Sequence, residues 1–129
     1  MSEMSATTSI TLFGIPNCDT VKKARTWLEQ QSIPFAFHNF KKDGLTAEQI
    51  EIWLQKIDLD TLINRKGTTW RALSETQKSE ANNRTNAIAL MLENPSVIKR
   101  PVLQINGDKL IHVGVGFNEQ QYQTIFKEI

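Results

Sequence analysis

Between residues 9 and 40 the apolar pattern changes period twice, and that change restricts the fold more than any other feature of the chain. Residues 9–13 (SITLF) form a β-branched and aromatic run that stops at Gly14, Pro16 and Asn17, residue types that end strands. From residue 19 to 31 the apolar Val21, Ala24 and Leu28 recur at helical spacing, and Pro34 blocks continuation. Residues 35–40 (FAFHNF) then alternate aromatic with polar or small side chains, as a half-buried strand does. Strand, helix and strand in so short a span predict a right-handed βαβ unit with parallel strands. Open sheets of this kind gather ligands beyond the carboxyl ends of their strands, beside helix N-termini, and Cys18 falls at that place.

The middle of the chain reads helical. Thr46 with Gln49 has the spacing of a capping box, and Ile50, Trp53, Leu54 and Ile57 follow at i, i+3, i+4 and i+7. Shorter helices are predicted over residues 70–73, in the polar stretch 74–83 and over 85–92. After Asn94-Pro95 the pattern returns to strands: Val102, Leu103 and Ile105, a hairpin turn at Asn106-Gly107-Asp108, then residues 110–113 running back antiparallel. Asn118 is placed to cap a last helix whose Tyr122, Ile125, Phe126 and Ile129 share one face. The order βαβ, helices, ββα is that of a single α/β domain with a thioredoxin-like fold and a mixed four-stranded sheet. Its core is expected over about 9–43 and 95–129, with a helical insertion over about 44–94 packing as a cap beside the Cys18 loop.

Composition bounds the function. At 129 residues the chain is long enough to close a core without staples, and 15 Lys+Arg against 14 Asp+Glu leave a net charge of +1. No overall field is present to hold nucleic acid or an anionic membrane, so any anion must be caught by a few placed cations. No apolar run approaches membrane-spanning length, and the opening MSEMSATTSITLFG lacks a basic region and an apolar signal core; a cytoplasmic location is expected. The one cysteine fits a reducing compartment.

Cys18 follows a Gly/Pro loop and precedes a helix, so the free N–H groups and partial positive charge of that helix start should favour its thiolate. Lys22 and Lys23 add positive potential, and thiolate is the nucleophilic form. Many free cysteines are simply small buried hydrophobes, but those more often lie within a strand or on an apolar helical stripe. Val21 stands where a Cys-x-x-Cys motif would put its second thiol, so a mixed disulfide on Cys18 can be resolved only from outside, and glutathione is the expected reductant or co-substrate. Residues 62–71 concentrate cations beside Gly67, an arrangement that can be solvated surface or an anion site. His38 and His112 lack partners at metal-ligand spacing, and no metal is expected. A thioredoxin-like fold also implies that Pro101, in front of the third strand, is cis and presents a backbone edge to a peptide or glutathione, with Arg100 aimed at an anion held at Cys18.

Residues 14–25 (GIPNCDTVKKAR), 65–71 (RKGTTWR), 94–101 (NPSVIKRP) and 115–119 (VGFNE) together resemble the ArsC arsenate reductase family, specifically its Spx/YffB branch, over about residues 11–126. The resemblance implies a catalytic Cys18 and substrate-binding roles for Asn17, Arg65, Lys66, Arg100 and Pro101. Three arginines hold the oxyanion in the arsenate reductases. Arg100 matches one and Arg65 another, or Lys66 if the match shifts by a residue; the last strand offers His112 and no arginine. That departure speaks against arsenate as the substrate. The YffB-like members imply a glutathione-dependent monothiol reductase acting on a small oxyanion or thiol substrate. The Spx members imply the alternative, a regulator that binds the α-subunit of RNA polymerase. A glutathione-binding protein without turnover fits the same residues.

Overall fold

A computed structural model describes residues 8–128. In chain order the elements are β1 (Ser9–Gly14), α1 (Asp19–Gln30), β2 (Ala36–Asn39), α2 (Phe40–Asp43), α3 (Ala47–Trp53), α4 (Leu59–Leu62), α5 (Thr68–Arg71), α6 (Glu75–Glu80) and α7 (Arg84–Glu93). A 3₁₀ turn (Pro95–Val97), β3 (Val102–Asn106), β4 (Leu110–Val115) and α8 (Glu119–Lys127) complete them. The contacts divide the chain into two compact units, one made of the residues up to Asn39 with those from Arg100 onward, the other Phe40–Lys99. The second unit thus begins and ends a few residues outside the 44–94 expected from sequence. No helix among the described residues is long and apolar enough to cross a membrane.

The first unit carries a mixed sheet in the order β2-β1-β3-β4, the thioredoxin-like arrangement. β1 runs parallel to β2, with Thr11 opposite Ala36 and Gly14 opposite Asn39. It runs antiparallel to β3, where Leu12 faces Leu103 and Phe13 faces Val102. Because strand side chains alternate, Ile10 and Leu12 of β1 share a face with Leu103 and Ile105 of β3; Ala24, Trp27 and Leu28 of α1 and Tyr122 of α8 close one core on them. Trp27 meets Tyr122 edge-on at 5.6 Å between ring centroids, a geometry aromatic quadrupoles favour. Burial pushes the Tyr122 phenol up from its ordinary range, so it stays neutral and donates to the Gly116 carbonyl at 3.5 Å. Asn118 caps α8 as its position predicts, accepting from the Gln121 N–H at 2.9 Å; Ile129 lies outside the described residues.

The second unit is built from short helices whose ends are fixed by side chains. Thr46 caps α3 through the Gln49 N–H, Asp58 caps α4 through the Thr61 N–H, and Asn83 caps α7 through the Asn86 N–H. Hydrogen bonds from Thr61 hold the Asp58 carboxyl below the usual carboxylate range. Ser74 and Gln77 form a reciprocal capping box at α6, inside the polar stretch 74–83 where a short helix is expected. Ile50, Trp53, Leu62, Trp70, Ile88, Leu90, Met91, Val97 and Ile98 are buried. The exit of α4 is tied to the residues after the 3₁₀ turn: Asn64 N–H donates to the Val97 carbonyl and Lys99 N–H to the Leu62 carbonyl, each at 2.8 Å.

Two boundaries differ from the sequence reading. The helix expected to carry Leu54 and Ile57 stops at Trp53, because Asp58 must take an extended backbone (φ −93, ψ 172) to cap α4 and the chain has to leave the helix first. The strand expected over 35–40 is shorter, since Phe40 is buried as the first residue of α2.

Candidate functional site

Cys18 is the N-cap of α1, half-buried and outside the apolar core. Its carbonyl accepts the Lys22 N–H at 2.9 Å, which starts the helical ladder, and its own N–H reaches the Ile15 carbonyl at 3.4 Å. Its side chain makes no capping hydrogen bond, and the first-turn N–H groups beside it have no intrahelical acceptor. Asp19 opposes, and the exposed Lys22 and Lys23 reinforce, the positive end of the helix dipole at that point.

Gly14 explains how the helix comes so close to the strand end. A Cβ at Gly14 would lie 2.8 Å from Cγ2 of Val21, and Val21 is fully buried on α1. Any larger residue must displace that contact and with it the first turn that carries Cys18.

Sheet register settles what shares this end of the first unit. Phe13 at the carboxyl end of β1 pairs with Val102 at the start of β3, so the loop from Ile15 to Cys18 leaves the sheet where Arg100-Pro101 enters it. Val115 also pairs with Val102, and the Gly116 N–H donates to the Pro101 carbonyl at 2.9 Å. The Arg100-Pro101 bond is cis. Pro101 is buried, Arg100 half-buried with its Nε fully covered, and Asn17 exposed. Thus Asn17, Cys18, Arg100 and Pro101 are brought to one end of one sheet.

The second unit holds the remaining expected residues. Arg65 and Lys66 line a surface groove with Asp60, Ile63, Asn64 and Lys99. Arg65 is half-buried: its guanidinium bonds Asp60 at 2.9 Å and lies 4.9 Å from the centroid of the Trp70 ring. The Asp60 carboxylate is mostly exposed, so the pair is worth at most about 1 kcal/mol and serves chiefly to fix the direction of the guanidinium. Lys66 is exposed, its N–H held by the Asn64 side chain at 3.2 Å in the turn before α5. Of the two candidates, Arg65 is the oriented one. Asp60 and Lys99 were missed by sequence reasoning, since neither belongs to the basic stretch and only folding brings Lys99 to it. His38 packs its ring 4.9 Å from Phe13, and His112 sits in β4 opposite Ile105. Among the described residues no group of three His, Cys, Asp or Glu side chains is placed to hold a metal ion.

A family model described as "ArsC family" matches residues 13–125. A solved structure of a YffB protein is 41% identical, covers 90% of this chain and 97% of its own, and superposes with a TM-score of 0.78. An arsenate reductase related protein from Brucella melitensis is 45% identical over 92% of this chain and 95% of its own, with a TM-score of 0.68. The global transcriptional regulator Spx 2 of Lactococcus lactis subsp. lactis is 33% identical, covering 89% of this chain and 84% of the regulator.

Proposed function

Since the chain belongs to the ArsC family, in its Spx/YffB branch, we propose that it is a glutathione-dependent monothiol reductase with Cys18 as its one nucleophile. The observation that supports this most is the position of the sole cysteine: at the N-cap of α1, half-buried, at the end of the sheet where Arg100 and the cis Pro101 enter. In the proposed cycle the Cys18 thiolate attacks the glutathionyl sulfur of a mixed disulfide. That S–S bond breaks, the substrate leaves as a thiolate that takes up a proton, and Cys18 carries the glutathionyl group. A glutathione thiolate then attacks the glutathionyl sulfur, releasing the Cys18 thiolate and glutathione disulfide. The net reaction is mixed disulfide plus one glutathione giving free substrate thiol plus glutathione disulfide. One S–S bond breaks and one forms, the incoming glutathione sulfur is oxidised as the substrate sulfur is reduced, and the proton lost by the glutathione thiol is the one the substrate thiolate takes up.

Arg100 supplies a permanent cation for the negative charge that moves between sulfurs, and Asn17 and the backbone at Pro101 offer polar contacts to the peptide. Arg65, with Lys66 and Lys99 beside it, is the anion-binding group of the insertion. A mixed disulfide is favoured over a tetrahedral oxyanion because the last strand contributes His112 and no third arginine. The test is steady-state reduction of a glutathionylated protein with glutathione as sole reductant; release of glutathione disulfide no faster than without the protein rejects the proposal.

The 33% identity to a protein named as a global transcriptional regulator favours a second reading, a binding module for the RNA polymerase α-subunit. It predicts a stoichiometric complex with the isolated α-subunit that survives Cys18→Ser. Absence of such a complex by size-exclusion chromatography removes this reading.

A further inference from the structure

A groove of the first unit runs beside α1. It is lined by Lys22, Lys23, Thr26, Trp27, Gln30 and Phe117, with Glu119 completing it at the start of α8. Lys22, Thr26 and Gln30 stand four residues apart on α1, and the residue four before Lys22 is Cys18. Residues at i and i+4 are neighbours on a helix surface, so the groove continues the ridge whose head is the cysteine. Lys22 lies about 6 Å along the helix axis from Cys18.

Two further features mark the groove as more than a solvated face. Trp27, 6% exposed, has its indole Nε1–H buried with no hydrogen-bond partner. A buried donor left unpaired is destabilising unless something accepts from it. The charges of the rim are two ammonium groups, Lys22 and Lys23, and one carboxylate, Glu119.

We infer that this groove is the subsite for the charged ends of a glutathionyl group whose sulfur is joined to Cys18, an inference that rests on the reductase reading above. Glutathione carries two carboxylates and one ammonium, the inverse of what Lys22, Lys23 and Glu119 present. A tripeptide spans at most about 10 Å, so an end group extending from a sulfur at Cys18 reaches one helical turn, which is the distance to Lys22. Trp27 and Phe117 provide the apolar floor, which makes the Trp27 indole a reporter of anything seated there.

The experiment titrates S-methylglutathione, which cannot form a disulfide, into the full chain while following the Trp27 indole N–H resonance, assigned with Trp27→Phe. The expected result is a saturable shift of that resonance, with apparent affinity at least about tenfold weaker in the double variant Lys22→Glu/Lys23→Glu, whose two sites are both exposed. An unmoved Trp27 resonance, or equal affinity in the double variant, overturns the subsite. Reaction of Cys18 with glutathione disulfide is measured in parallel and fails separately: an adduct with an unmoved Trp27 resonance rejects the groove and spares the reductase reading. A shifted resonance with no adduct rejects that reading, and with it the joining of the bound peptide to Cys18.

Discussion

Cys18→Ser is expected to reduce turnover of a glutathionylated substrate to the uncatalysed background while leaving the protein as stable as before or more so. The two effects come from one position. A serine hydroxyl is not ionised near neutral pH and cannot replace thiolate as the attacking group, and the chain has no second cysteine to take over. As a helix N-cap, however, serine is among the preferred residues, and Cys18 makes no side-chain capping bond to lose. A gain of about 0.5–1 kcal/mol is therefore expected in denaturant unfolding, alongside loss of activity. A site kept for chemistry at the expense of stability behaves in this way. If the variant retains turnover, Cys18 is not the nucleophile; if it unfolds markedly more easily, the cysteine is a packing residue.

Leu12→Ala should be the most damaging single truncation in the first unit, lowering stability by about 3–5 kcal/mol in denaturant unfolding. Leu12 is fully buried in β1, pairs with Leu103 of β3, and belongs to the cluster that α1 and α8 cover. Flanking strands on both sides and helices above leave little room for collapse, so the cavity should remain open and the upper part of that range should apply. Against a typical total of about 5–15 kcal/mol this is a large fraction. β1 also ends at the loop that carries Cys18, so reactivity of the cysteine should fall with the folded population. A loss below about 1 kcal/mol would mean that this core is loosely packed.

Much of this was legible in sequence because its causes are local. The strand, helix and strand before residue 40, the hairpin at Asn106-Gly107-Asp108 and the Asn118 cap are each set by residues within a few positions of one another. The placement of Cys18 at a helix start was readable for the same reason, from Gly14 and Pro16 on one side and the Val21, Ala24, Leu28 stripe on the other. What escaped depends on contacts that leave no periodic signal in the sequence, several of them between residues far apart in the chain. The short α4 exists through the Asp58 cap and the paired backbone bonds linking Leu62 and Asn64 to Lys99 and Val97. The direction of Arg65 depends on Asp60 and Trp70, neither of which announces itself as a guanidinium partner. The groove beside α1 needs Phe117 and Glu119, which reach Trp27 only once the sheet has ordered its strands.

In the proposed cycle one sulfur forms, and gives up, a disulfide with glutathione. Intact-mass measurement of the full chain after exposure to glutathione disulfide, and again after addition of reduced glutathione, tests it most directly. The expected result is a gain of a single glutathionyl group, located on Cys18 by peptide mapping, followed by its complete removal. A chain that gains no glutathionyl group, or one whose adduct persists in reduced glutathione, would contradict it.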